Sequence, residues 1–148
     1  NLSPMYRSTT GRVTWVSDDL TKIKISIPRK YKNYNYAGSI FGGAMFSATD
    51  PIYVVQLIQI LGPDYIVWDK SSTIRFRKPA WSSLTGTFHT TMEEIENIKS
   101  TVASSGETTI IKKINLVSDD SNRVVSEISK NIYIADKKFY KDKFLGKK

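Results

Sequence analysis

The chain has 148 residues, a formal net charge of +8, one histidine and no cysteine. This length suffices for one domain whose hydrophobic core needs neither disulfides nor metal. Without cysteine, thiolate catalysis, dithiol redox chemistry and cysteine-ligated zinc are excluded, and one histidine excludes a multi-histidine metal site.

The first predicted elements are two strands, over residues 12–17 and 21–27. In the second strand Ile23, Ile25 and Ile27 alternate with polar residues, which is typical of a strand with one buried face. The following stretch, residues 29–36, is rich in tyrosine and asparagine and is predicted to be a loop.

Residues 41–61 are apolar at nearly every position and predict one long, buried helix. Asp50 lies on this helix at spacings that put it beside Phe46 and Tyr53. A buried carboxylate is costly unless it is paired or functional, so Asp50 is the leading candidate for a catalytic group. The alternative is that Asp50 caps a second helix that starts at Pro51. In a continuous helix, Pro51 would instead kink the axis.

The remaining pattern predicts strands at residues 66–78 and 84–91, a short surface helix within 92–105, and a hairpin of strands 107–118 and 123–135. This order indicates an α+β fold in which a long antiparallel sheet wraps around one central helix. Such a sheet leaves an edge uncovered, and this predicts a homodimer.

Residues 1–136 are expected to form a single domain, followed by a basic tail at residues 137–148. The tail carries six lysines and one aspartate, and we expect it to be solvated and partly disordered. A nucleic-acid partner is the less favoured interpretation of this charge. Polar residues interrupt the longest apolar run, so we expect a cytoplasmic protein without stable membrane insertion.

Four segments carry a family resemblance: 36–43 (YAGSIFGG), 50–51 (DP), 64–70 (DYIVWDK) and 74–79 (IRFRKP). With them, the chain resembles hotdog-fold thioesterases of the phenylacetate-pathway type. More specifically, it resembles a mainly bacterial hotdog subgroup described as a domain of unknown function. The resemblance covers nearly the whole chain and implies a hotdog fold.

The resemblance also implies an activity, the hydrolysis of an acyl-CoA thioester at a dimer-interface site. Asp50 falls where the family has its general base or nucleophile. An amide of Gly42 or Gly43 would polarise the thioester carbonyl, and Asn35 would help to hold that carbonyl or the water. Coenzyme A would enter only as part of the substrate, with no other cofactor and no metal. Two such dimers could also associate into a dimer of dimers.

One residue departs from the family pattern. Relatives usually have histidine just before the two glycines, whereas this chain has Phe41, which cannot donate a hydrogen bond. This substitution leaves two interpretations: slow thioester hydrolysis, or a non-catalytic protein that binds acyl-CoA or fatty-acyl groups. Phe41, Phe46 and Tyr53 could line an acyl chain, or they could pack in the core.

A second site position is expected at the start of the third strand, near Asp69 and Ser72. Asp69 would either approach Asp50 across the dimer or pair with Lys70 or an arginine at the strand start.

The end of the same strand is basic. Arg75, Arg77 and Lys78 could cradle the phosphates of coenzyme A, or they could form an ordinary solvated strand face.

Overall fold

The chain folds into six strands and five α-helices, and its structure, a computed structural model, describes residues 3–144 and residue 146. In chain order the elements are α1 (Pro4–Ser8), β1 (Arg12–Val16), β2 (Lys22–Ile27), α2 (Gly42–Thr49), α3 (Ile52–Leu61), β3 (Tyr65–Phe76), β4 (Leu84–His89), α4 (Met92–Ser105), β5 (Glu107–Ser118), β6 (Val124–Asp136) and α5 (Lys137–Phe144). The predicted order is confirmed, and the structure adds α1 and α5 near the two ends.

The six strands form one antiparallel sheet in the order β1-β2-β4-β5-β6-β3. β3 lies at one edge and is paired with β6 along its whole length, from Tyr65 opposite Asp136 to Phe76 opposite Ser126. β1, at the other edge, is much shorter. The predicted α+β fold, a long antiparallel sheet with a central helix, is confirmed.

The core lies between one face of the sheet and the helices. In β2 the alternation of Ile23, Ile25 and Ile27 with polar residues buries all three isoleucines, as predicted. α4 begins at a capping box in which Thr91 and Glu94 satisfy each other's backbone amides. Because α4 is amphipathic, it buries its apolar stripe against this core.

The long predicted helix is divided at Asp50 and Pro51. Pro51 has no N–H to donate to the carbonyl of Ser47, so the hydrogen-bond ladder opens there. Asp50 and Pro51 nevertheless keep right-handed helical dihedral angles, with φ of −54° and −81°. Asp50 is not the N-cap of α3, because its dihedral angles are helical and its amide still donates to the carbonyl of Phe46. The capping alternative is therefore wrong, and the chain keeps a helical course through Asp50 and Pro51.

The α2–α3 segment, Gly42–Leu61, is long and apolar enough to cross a membrane by length and composition, with a mean hydropathy of 1.3. In this fold it is the core helix. Met45, Ala48 and Leu57 are buried against the sheet.

Part of the basic tail is helical. Residues 137–144 form α5, a helix that the sequence did not predict, and none of these residues is buried; residues 145, 147 and 148 lie outside the described part of the chain. The Phe139 ring occupies the space where Gly106 would carry a Cβ. The Lys143 ammonium forms an ion pair with Glu107 at 2.5 Å. These contacts attach the helix to the end of the sheet.

Candidate functional site

Two backbone carbonyls on either side of the break accept hydrogen bonds from side chains. In a continuous helix the carbonyls of Ala48 and Asp50 would accept hydrogen bonds from amides four residues later. Here the buried Tyr6 hydroxyl donates to the Ala48 carbonyl at 3.1 Å, and the Lys130 ammonium donates to the Asp50 carbonyl at 2.6 Å. One donor from α1 and one from β6 therefore satisfy these two carbonyls.

Lys130 is the most deeply buried charged residue at this site. It lies on the core face of β6 between Ile128 and Ile132, and its side chain is 0% exposed. Besides the Asp50 carbonyl, Nζ donates to Oδ1 of Asp50 at 2.8 Å and to Oδ2 of Asp69 at 2.5 Å. The three donors of an ammonium group thus meet three acceptors.

The two carboxylates differ in how far they reach the surface. The side chain of Asp50 is 48% exposed and that of Asp69 is 25% exposed, although both bind the same buried cation. Lys130 therefore bridges Asp69 and Asp50 within one protomer. The ion-pair partner of Asp69 is Lys130, and not Lys70 or an arginine. A β-bulge between Asp69 and Ser71 shifts the register at this point. Lys70 instead lies over the ring of Tyr133.

The start of α2 is a second candidate region, with two free backbone donors. The Phe41 carbonyl accepts from the amides of Ala44 and Met45. Across the described part of the chain, no acceptor is found for the amides of Gly42 and Gly43. A helix start with unsatisfied N–H groups favours a negatively charged oxygen.

Two aromatic rings cover this helix start. A Cβ on Gly42 would lie 2.6 Å from the ring of Phe76, and one on Gly43 would collide with the ring of Phe41. A side chain at either position would have to displace one of these rings. Phe41 and Phe76 are themselves more than half exposed, so the rings form the outer surface over the two amides.

A groove of about 400 Å³ runs beside these glycines. Four of the predicted site residues line it, together with hydrophobic neighbours: Asn35, Gly42, Arg77 and Lys78. Arg77 also forms an ion pair with Glu127 at 2.8 Å. Arg75 does not line this groove and lies opposite Glu127 in the sheet.

Asn35 uses its side chain to shape the loop before α2. Its Oδ1 accepts hydrogen bonds from the amides of Ala37 and Ser39 at 3.0 and 3.1 Å, and its Nδ2 donates to the Ser39 hydroxyl. This is an Asx-type turn. Asn35 therefore lines the groove with a side chain that is already engaged in the loop.

The other predicted substrate contacts lie elsewhere. Tyr53 is buried, donates its hydroxyl to the carbonyl of Lys113 at 2.9 Å and packs edge-on against Phe88; burial raises the pKa of Tyr53 to about 12. It is a core residue here. Phe46 lies 6.0 Å from Nζ of Lys130, and Ser72 is the register neighbour of Lys130 on β3.

Asp50 and the two glycines are far apart within one protomer. Asp50 follows Gly42 by eight positions, which corresponds to about 12 Å along a helix axis. The two free amides and the Asp50 carboxylate of one protomer therefore cannot act on one carbonyl group.

Comparison with known proteins assigns the family. Residues 1–134 match the sequence model of a family described as a domain of unknown function, DUF4442. The chain belongs to the DUF4442 family. This agrees with the subgroup that the sequence resembles. No curated protein sequence matches the chain.

Solved structures similar to this DUF4442 chain share its fold at low identity. One is from Pseudomonas aeruginosa and is described as a protein of unknown function, "Probable Thioesterase" (TM-score 0.78, 18% identity, 88% of this chain and 85% of that one). Others are a mutant thioesterase from Staphylococcus aureus (0.65, 14%, 90% and 99%) and a thioesterase from Haemophilus influenzae (0.62, 12%, 88% and 81%). The expected hotdog fold is confirmed.

Sequence reasoning missed Lys130 in this DUF4442 chain. The sequence does contain a signal for its burial. Lys130 lies two positions from Ile128 and from Ile132, so its side chain points to the same, core-facing side of the strand. Lys112 on β5 gives the same signal and is also buried, with Nζ bound to both carboxylate oxygens of Glu94 at 2.8 and 2.9 Å. A lysine in phase with buried isoleucines indicates a buried ion pair.

Proposed function

We propose that this protein is an acyl-CoA thioesterase in which Asp50 activates the attacking water. The observation that carries the proposal is the Asp50 carboxylate: it is half-exposed, yet a fully buried ammonium holds one of its oxygens. A general base needs this combination, since it must be fixed in position and also reach the substrate.

The chemistry is a hydrolysis in two stages. Asp50 takes a proton from water while the water oxygen attacks the thioester carbon, and the carbonyl oxygen becomes an oxyanion. The free amides of Gly42 and Gly43 are suited to stabilise that oxyanion. The intermediate then collapses, the C–S bond breaks, and the proton passes to the sulfur that leaves. The products are a carboxylic acid and free coenzyme A.

We propose that one site takes Asp50 from one copy of the chain and the two glycines from another. The separation of about 12 Å within a protomer supports this arrangement. β3 is a long edge strand with the exposed side chains of Trp68 and Phe76, and such an edge favours pairing with a second copy.

Strand direction supports the same arrangement. In an antiparallel pair, the end of one strand lies beside the start of the other. Pairing two β3 strands in this way would bring Phe76, which lies against Gly42, beside the first half of the partner's β3, which carries Asp69. Asp69 shares Lys130 with Asp50. The free glycine amides of one copy and the Asp50 carboxylate of the other would then lie at one site between the two copies.

Coenzyme A would use the groove beside Gly42. Arg77 and Lys78 line that groove and supply positive charge, which suits the phosphates of the coenzyme A part of the substrate. The structural neighbours are described as thioesterases, which supports a thioester as the substrate.

The direct test is thiol release from short, long and aromatic acyl-CoAs, with wild type and Asp50→Asn measured side by side. We expect turnover by wild type and a loss of about 10²–10⁴-fold in the variant. Equal rates would exclude Asp50 as the base. Sedimentation measurements on both proteins would establish that the variant keeps its oligomeric state.

A mixing experiment tests the shared site. Asp50→Asn and Gly42→Val are each expected to be inactive alone. When they are unfolded together and refolded as a mixture, half of the dimers contain both variants, and each of these has one intact site. Activity should return to about a quarter of wild type. No recovery from a mixture that forms heterodimers would show that each site belongs to one chain.

A second candidate function is acyl-CoA binding without cleavage. The specific observation in its favour is that the rings of Phe41 and Phe76 lie against Gly43 and Gly42 and that neither ring can donate a hydrogen bond. In that case wild type and Asp50→Asn would bind acyl-CoA equally and neither would release thiol.

A further inference from the structure

We propose that Lys130 is the positioning residue for the Asp50 carboxylate and that Asp69 is the permanent counterion of Lys130. This inference rests on the proposed hydrolysis, because it assigns the role of the groups that surround the proposed base. Neither residue needs to touch the substrate. Both act through the geometry of Asp50.

The contacts of Lys130 fix Asp50 at two points. Nζ donates to the backbone carbonyl of Asp50 at 2.6 Å and to its side-chain Oδ1 at 2.8 Å. A single contact to the carboxylate would allow the side chain to rotate about its bonds. Two contacts from one nitrogen hold the main chain and the side chain of Asp50 together.

Packing alone does not explain a lysine at this position. Lys130 lies between two buried isoleucines, and a buried ammonium costs free energy even when it is paired. A methionine or leucine would fill the same space without that cost. A cation that is fully buried beside a half-exposed carboxylate is therefore better explained by what it does to that carboxylate.

Asp69 balances the charge in both states of the reaction. Before proton transfer, two carboxylates face one ammonium, so the cluster carries a net charge of −1. After Asp50 has taken a proton from water, Lys130 and Asp69 remain as a neutral ion pair. The neighbouring Lys112 has a separate partner in Glu94 and does not share these carboxylates. The buried cation is thus compensated throughout the cycle.

Lys112 provides a matched control. It lies opposite Lys130 on β5, is also buried on the core face, and also pairs with a carboxylate on a helix. Replacing either lysine by methionine removes a buried cation from the same layer of the sheet. Only Lys130→Met removes the contacts to Asp50.

The experiment compares kcat, KM and urea unfolding for wild type, Lys130→Met, Lys130→Arg, Asp69→Asn and Lys112→Met, with Asp50→Asn as the inactive reference. We expect Lys130→Met to lower kcat about 10²-fold with KM within about threefold of wild type, because misplacement of a base acts on the transition state. Lys130→Arg should recover part of kcat. Lys112→Met should lose stability and keep kcat.

The outcomes separate this inference from the proposed function. Wild-type kcat in Lys130→Met, with Asp50→Asn inactive, overturns the positioning role and leaves the proposed function intact. An equal loss of kcat in Lys112→Met also overturns it, since the effect would be structural. No turnover by any protein overturns both. If Lys130→Met does not fold, Lys130→Arg and Asp69→Asn decide: wild-type kcat in both contradicts the inference.

Discussion

Lys112 and Lys130 are direct neighbours across β5 and β6, and both side chains lie on the core face of the sheet, 6% and 0% exposed. Adjacent cations repel each other, most strongly away from water. Each one turns to its own carboxylate partner: Lys112 binds Glu94, while Lys130 binds Asp50 and Asp69. The core of this small domain therefore contains two adjacent, ion-paired lysines. Their carboxylate partners connect the sheet to α4 and to the end of α2.

The first prediction concerns the pH dependence of stability through Glu94. Burial raises the pKa of Glu94, but hydrogen bonds from Lys112 and Thr91 outweigh it, so the pKa lies below its usual 4.5. A carboxylate with a lowered pKa stabilises the fold fully above its unfolded-state pKa and loses this contribution as the pH falls below it. We expect Glu94→Gln to cost about 1 kcal/mol at pH 7.

The cost of Glu94→Gln should be constant from pH 7 to about 5 and should shrink below about 4.5. Urea unfolding of both proteins at a series of pH values measures this difference. A difference that persists unchanged to pH 3 would contradict the assignment.

The second prediction restores a donor at the start of α2. Phe41→His would place a hydrogen-bond donor next to the free amides of Gly42 and Gly43. One additional donor to an oxyanion can raise kcat about 10²-fold, and we expect at least tenfold. Phe41→Ala is the control, because it uncovers the amides without adding a donor. Equal rates for the two variants would show that access, rather than hydrogen bonding, limits turnover.

The third prediction tests the basic end of the groove. Arg77→Ala and Lys78→Ala together should raise KM for acyl-CoA about tenfold, through the loss of two charge-assisted contacts to phosphate. KM for the matching N-acetylcysteamine thioester, which has no phosphate, should not change. Lys22→Ala on β2 removes an exposed lysine outside the groove and serves as the control. A rise with both substrates would argue against phosphate recognition.

The fourth prediction concerns α5. A chain that ends at residue 136 loses the packing of Phe139 on Gly106 and the ion pair of Lys143 with Glu107. We expect the free energy of unfolding to fall by about 1–3 kcal/mol. An unchanged urea midpoint would show instead that the tail is solvated.

Alternation and composition predicted most of the fold. The isoleucines of β2 identified its buried face, and the long apolar segment identified the central helix. Pro51 predicted an interruption of that helix but left two arrangements open. The side-chain donors to the carbonyls at the interruption, the Tyr6 hydroxyl and the Lys130 ammonium, are distant in sequence and could not be predicted.

The candidate site was only partly predictable for the same reason. Asp50 stands out as a carboxylate on an apolar helix, and this needs no tertiary information. The partner of Asp69 depends on a bulge in β3, and a bulge changes which way side chains point. Lys130 could be placed on the core face by alternation, but its partners precede it by 61 and 80 positions.

The same sequence separation sets the order in which the protein can assemble. On the ribosome, β3 emerges long before β6, the strand that pairs with it, and contacts between distant segments carry the entropy cost of closing a large loop. Asp50 and Asp69 therefore stay uncoupled until the last strand is made. Until then, both edges of β3 are unpaired and its Trp68 and Phe76 side chains are exposed. Pairing with the wrong chain competes most strongly with folding during this interval.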